Sequence, residues 1–155
     1  MTKETIKTFQ YRITQATASQ LVVILYDMAI EYLNDACESD SAKQAHNNIY
    51  MAQKVIDQLI CGLDMQYEIS ANLFAIYNHM KRSLISASVS LDNNEINRIT
   101  GLLKKLRASF YEVSKQDDSE PLMKNTEKVY SGLTYSRYGA NEMAQDTLGN
   151  RGYKA

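Results

Sequence analysis

Thr17-Ala18-Ser19-Gln20-Leu21-Val22-Val23-Ile24-Leu25-Tyr26-Asp27-Met28-Ala29-Ile30 is the stretch that decides the fold. Thr17 and Gln20 have the spacing in which a hydroxyl caps the third amide of a helix and the glutamine side chain reaches back to the cap, so a helix is expected to start here. A helix with one buried face turns polar every third or fourth position, whereas residues 21–26 are apolar or aromatic all the way round. Such a helix needs contacts on more than one side. It is either central in its domain or has an outer face covered by something else.

The same periodicity runs through three further segments. The first helix is expected over 17–38, with Leu21, Leu25, Met28, Tyr32 and Ala36 on one line. Ser41 opens a second, in which Ala45, Ile49, Ala52, Ile56, Leu59 and Leu63 follow at steps of four and three, and Gly62 and Asp64 close it. A third starts near Tyr67, carries Ile69, Leu73, Ile76, Met80, Leu84 and Ala87, and ends around Leu91. Asp92 or Asn93 caps a fourth, with Ile96, Ile99, Leu103, Leu106, Phe110 and Val113. Four such helices joined by short loops run up and down beside one another, so the fold class is all-α, an antiparallel four-helix bundle over residues 17–116. An N-terminal arm, residues 1–16, precedes it. From 117 to 155 Pro121, Gly132, Gly139, Gly149 and Gly152 break any long apolar period, and a tail that is mobile or locally ordered is expected.

Composition narrows the function. Lys+Arg 17 against Asp+Glu 18 leaves a net charge of -1 with no basic run, which argues against nucleic acid as a partner. No apolar span reaches membrane length and no basic-then-apolar leader is visible, so membrane insertion is not expected and the chain reads as cytoplasmic. One proline, no tryptophan and 11 tyrosines against 3 phenylalanines fit a helical domain. Cys37 and Cys61 lie outside any metal or redox spacing and read as small buried hydrophobes kept reduced. Neither histidine has a glutamate three residues before it, no phosphate loop or nucleophile motif is present, and neither a metal, a cofactor nor catalysis is expected. His79, followed by Lys81 and Ser83, is similar to the phosphoacceptor of histidine phosphotransfer modules, where a lysine stabilises the phosphate. The glycine that usually follows that lysine is missing, and a solvated or interfacial histidine is the simpler reading. His46 reads as a surface residue.

Once the seams are filled, large apolar groups remain. Val22, Ile24 and Tyr26 on the first helix, Tyr50 and Val55 on the second, and Phe74, Tyr77, Ile85 and Val89 on the third form second stripes. The plain reading is a wide core with scattered surface tyrosines. The sharper reading is a groove that accepts an amphipathic or extended segment of another chain, with Phe9, Tyr11 and Ile13 of the arm folding back to shield it.

At these residues the sequence resembles the flagellin-specific flagellar secretion chaperones, the FliS family. The resemblance spans about Phe9 to Lys115: the aromatic arm, Thr17-Ala18-Ser19-Gln20-Leu21, Ile24-Leu25-Tyr26-Asp27-Met28-Ala29, Ala52-Gln53-Lys54-Val55-Ile56 with Leu59, and Ala71-Asn72-Leu73 with Ile76-Tyr77. Gln20 stands where many relatives have proline, and Met28 where glycine is frequent. The resemblance implies a non-enzymatic chaperone that holds the C-terminal region of flagellin, prevents premature polymerisation and keeps it competent for export. The flagellar export machinery is a further implied partner, and an exposed groove leaves room for a weak homodimer. The competing function is a signalling bundle acting through His79.

Overall fold

A computed structural model describes residues 1–124, and among these residues there are five helices: α1 Lys3–Thr14, α2 Ala18–Cys37, α3 Ala42–Cys61, α4 Glu68–Ser90 and α5 Asn93–Ser114. Most of the expected tail, residues 125–155, lies outside the described residues. The helix starts follow local chemistry. Thr17 accepts from the Gln20 amide at 3.3 Å while the Gln20 side chain accepts from the Thr17 amide at 3.1 Å, a complete capping box. Asp92, rather than Asn93, caps α5, accepting from the amides of Asn94 and Glu95. Helix α4 ends on Leu91 in the left-handed conformation, φ 51° and ψ 48°, a position helices usually give to glycine.

Helices α2 to α5 pack in chain order around a closed cycle, α2 on α3, α3 on α4, α4 on α5 and α5 on α2, which is the up-and-down bundle. Helix α2 packs closely on both neighbours, whereas α4 meets α3 and α5 more sparsely. The core holds Tyr26, Ala29, Leu33 and Ala36 from α2, Ile49, Ala52, Ile56 and Leu59 from α3, Leu73, Tyr77, Met80 and Leu84 from α4, and Ile96, Ile99 and Leu103 from α5. At its centre the Tyr26 and Tyr77 hydroxyls hydrogen-bond each other, and the Tyr26 ring lies 5.5 Å from that of Phe110. Both hydroxyls are pushed above the ordinary phenol range, chiefly by burial.

The all-round apolar character of α2 is explained by α1. Phe9 and Ile13, four residues apart and so on one helical face, pack with Ala16 on Leu21, Ile24 and Met28, the side of α2 that faces away from the bundle centre. Asp27 ties the two together: Arg12 of α1 donates to its Oδ2 at 2.7 Å and Arg107 of α5 to its Oδ1 at 2.9 Å.

In α4 the expected seam turns by about one residue. Ser70 and Tyr77 are buried, and Ile69 and Ile76 are exposed. A tyrosine can take an interior position when its hydroxyl finds a partner, and Tyr26 supplies it. Val113 on α5, also expected in the seam, is exposed. Cys37 is half-buried, its thiol raised by burial, but Cys61 is exposed at the end of α3 and is not the buried hydrophobe expected.

Candidate functional site

Two apolar surfaces are left on the filled bundle. The first is a cleft of about 700 Å³ at the end where α2 and α4 begin and α3 and α5 finish. Leu21, Val22 and Leu25 of α2, Leu59 and Leu63 at the close of α3, Tyr67, Ile69 and Leu73 at the start of α4, Phe110 and Leu122 line it. It exists because four helix ends meet there and the α3–α4 connection, Gly62–Tyr67, leaves the gap between α2 and α4 unfilled. A larger cavity of about 850 Å³ at the opposite end is lined by Asp35, Glu38, Asp40, Lys43 and Asn47 and offers no apolar surface of that kind.

The second surface is the outer face along α3 and α4. Phe74, Asn78, Lys81, Ile85 and Val89 follow each other at steps of four and three and form one stripe of α4, and Tyr50, Lys54, Asp57 and Cys61 form one stripe of α3. The Lys81–Asp57 ion pair sets these stripes against each other. Val89 is 84% exposed, Ile85 54%, Tyr50 53% and Phe74 45%. Over the 16 residues of α4 from Phe74 to Val89 the track is about 24 Å long. Cys61 stands both on the α3 stripe and at the cleft, so the α3 stripe reaches the cleft edge.

The expected contact residues therefore divide. Tyr50, Phe74, Ile85 and Val89 come together on the α3–α4 face, and Val22 joins the cleft wall. Ile24, Tyr26, Val55 and Tyr77 are buried and do not present a free surface; Tyr77 only closes the floor of the cleft. In the arm, Phe9 is buried and Ile13 half-buried against α2, while Tyr11 is 70% exposed on the opposite side of the same helix. Their alternating spacing suits a strand, and a helix separates the middle residue from the outer two by about 200°. Reasoning from seams missed Leu21, Leu63, Tyr67, Ile69 and Leu122. The signal for Tyr67 was its place in a short connection that already holds Leu63 and Met65, more apolar residues than a solvated loop needs, with Ile69 following in the first turn of α4.

His79 is exposed on the α5 side of α4, its Nε2 3.4 Å from the Arg98 guanidinium, which is itself held by Glu95 and pulls that carboxyl down to about 2. Lys81, the residue a phosphoacceptor reading needs beside His79, is instead engaged by Asp57 on the other flank. Among the described residues no group of His, Cys, Asp or Glu could hold a metal ion, and no helix is long and apolar enough to cross a membrane.

Residues 1–117 match the family described as flagellar protein FliS. The chain belongs to the FliS family. It is similar to the flagellar secretion chaperone FliS of Bacillus subtilis (strain 168), with 27% identity over 101 residues that cover 63% of this chain and 76% of that protein. FliS is a family of chaperones and not of enzymes.

Proposed function

We propose that this protein is a cytoplasmic export chaperone whose end cleft and α3–α4 face hold the C-terminal region of flagellin. The observation that carries the reading is the apolar surface left outside a filled core, the end cleft together with the exposed Phe74, Ile85 and Val89 on the α4 face. Soluble domains seldom leave such a track uncovered unless a partner covers it. An amphipathic segment laid along it gains helix by burying its apolar face there, as helix-in-groove recognition does. The covered segment is then unable to use that face to polymerise. Because ordering it consumes part of the contact energy, a large interface still gives an affinity weak enough for release at the export machinery.

The arm belongs to the same reading. Helix α1 covers Leu21, Ile24 and Met28, and Leu21 is also part of the cleft wall, so withdrawing α1 lengthens the apolar track along α2. Deleting residues 2–14 is expected to increase self-association, a weak homodimer included, while flagellin binding is retained.

The test is a pair of substitutions at exposed positions, Phe74→Asp and Ile85→Asp. Each is expected to lower flagellin affinity tenfold or more, about 1.4 kcal/mol, with stability changed by about 0.5 kcal/mol or less. Undiminished binding by the double variant would show that flagellin sits elsewhere.

A further inference from the structure

The chain does not leave the bundle when α5 ends. Asp117 folds onto the first turn of α2, where its Oδ2 accepts from the Ser19 amide at 3.3 Å and from the Ser19 hydroxyl, and its Oδ1 accepts from the Ser119 amide at 3.1 Å. A carboxylate in front of the first amides of a helix is favourably placed against the helix dipole. Five residues on, the Leu122 amide donates to the Ala16 carbonyl at 2.9 Å, across the junction of α1 and α2. Between these two anchors the segment crosses the junction, and Leu122 stands in the apolar cleft beside Leu21, Val22 and Leu25.

The hold is shallow. The Leu122 side chain remains 56% exposed, so the segment is not fastened there by a buried hydrophobic contact. A competitor that fills the cleft with apolar side chains gains more area than Leu122 gives up.

We infer that residues 117–122 are a displaceable strap over the end cleft, pinned by Asp117 to α2 and by the Leu122 amide to Ala16, that shields the cleft when it is empty and yields to its occupant. The inference rests on the flagellin reading only for the identity of that occupant. A strap that is closed for part of the time reduces apparent affinity in proportion to the closed fraction, so loosening it raises affinity. It also keeps an unoccupied cleft from attracting a second copy.

The experiment uses the full chain with two probes: an anilinonaphthalene dye, which brightens on exposed apolar surface, and a peptide carrying the C-terminal region of flagellin. Leu122→Ser is expected to increase dye fluorescence and to raise peptide affinity several-fold, up to about tenfold for a strap closed nine-tenths of the time. Asp117→Ala is expected to act in the same direction and at least as strongly, since it removes the anchor to Ser19 whereas Leu122→Ser leaves both anchors in place. A thermal scan controls for unfolding, and Leu122→Ser, at an exposed position, leaves the midpoint nearly unchanged. Dye and peptide binding both unchanged in Asp117→Ala and in Leu122→Ser would overturn the strap, and so would a fall in peptide affinity in Leu122→Ser, which would make Leu122 part of the binding wall. A dye gain without peptide binding to either protein would uphold the strap and refute flagellin as the occupant.

Discussion

Replacing Tyr26 and Tyr77 by phenylalanine, singly and together, tests how the bundle is held at its centre. The two side chains are 0% and 1% exposed, and each hydroxyl has the other as its partner. Tyr77→Phe leaves the Tyr26 hydroxyl buried without a partner, and the cost of stranding such a group is about 1–3 kcal/mol. Tyr26→Phe strands the Tyr77 hydroxyl and costs a similar amount. The double variant removes both polar groups and keeps both rings, so it falls within about 1 kcal/mol of the parent protein. The sum of the single losses then exceeds the double loss by about 1–3 kcal/mol, the size of coupling found between directly bonded groups. Urea unfolding followed by circular dichroism measures this if the slope with denaturant stays constant across the set. In a chain of 155 residues a single loss of about 2 kcal/mol also lowers the melting midpoint by roughly 4–8 °C. Additive losses would mean that each hydroxyl has its own partner, and neutral single variants would mean that the tyrosines face solvent after all.

Other outcomes follow from the same structure. Both phenols titrate above their ordinary value of 10.0, so the unfolded chain loses these protons first and stability declines as pH rises above 10; the double phenylalanine variant shows a weaker dependence, with Tyr32, also raised by burial, still contributing, as alkaline unfolding curves will show. Glu95, held down to about 2 by Arg98, adds stability that is present above pH 4.5 and is lost as pH falls toward 2; NMR titration of Glu95 in Arg98→Gln is expected to return its carboxyl toward the ordinary value. Gly101 lies in the interior of α5 with nothing within 4 Å of an added Cβ, and Gly101→Ala is expected to stabilise the protein by about 0.5–1 kcal/mol in urea unfolding. Asp27→Asn weakens the link from α1 to α2 and α5, and limited proteolysis is expected to cut within residues 1–16 faster while the bundle stays intact.

The bundle was legible because its signals are local: Thr17 with Gln20, Ser41, Gly62 and Asp92 punctuate the chain, and the steps of three and four do the rest. The rotation of α4 was not. Ile69-Leu73-Ile76-Met80 and Ser70-Leu73-Tyr77-Met80 share half their members, and hydrophobicity favours the isoleucine line. What selects the tyrosine line is a hydroxyl 51 positions earlier in the chain, on Tyr26, which no periodicity within α4 contains. The candidate site inherited that error, since Tyr26 and Tyr77 were assigned to a surface and Ile69 to the core. Phe74, Ile85 and Val89 came out on the surface because they belong to neither line, and Tyr50 because it lies off the α3 seam. The end cleft depends on where four helix ends and residue 122 meet, and a pattern read along one helix at a time does not carry that geometry.

The central claim is best tested by titrating the full chain calorimetrically with intact flagellin, with flagellin lacking its C-terminal segment, and with that segment alone, followed by circular dichroism of the last complex. The account predicts one-to-one binding of intact flagellin and of the isolated segment, helix gained by the segment, and no measurable binding once the segment is removed. Undiminished binding to the truncated flagellin would contradict it.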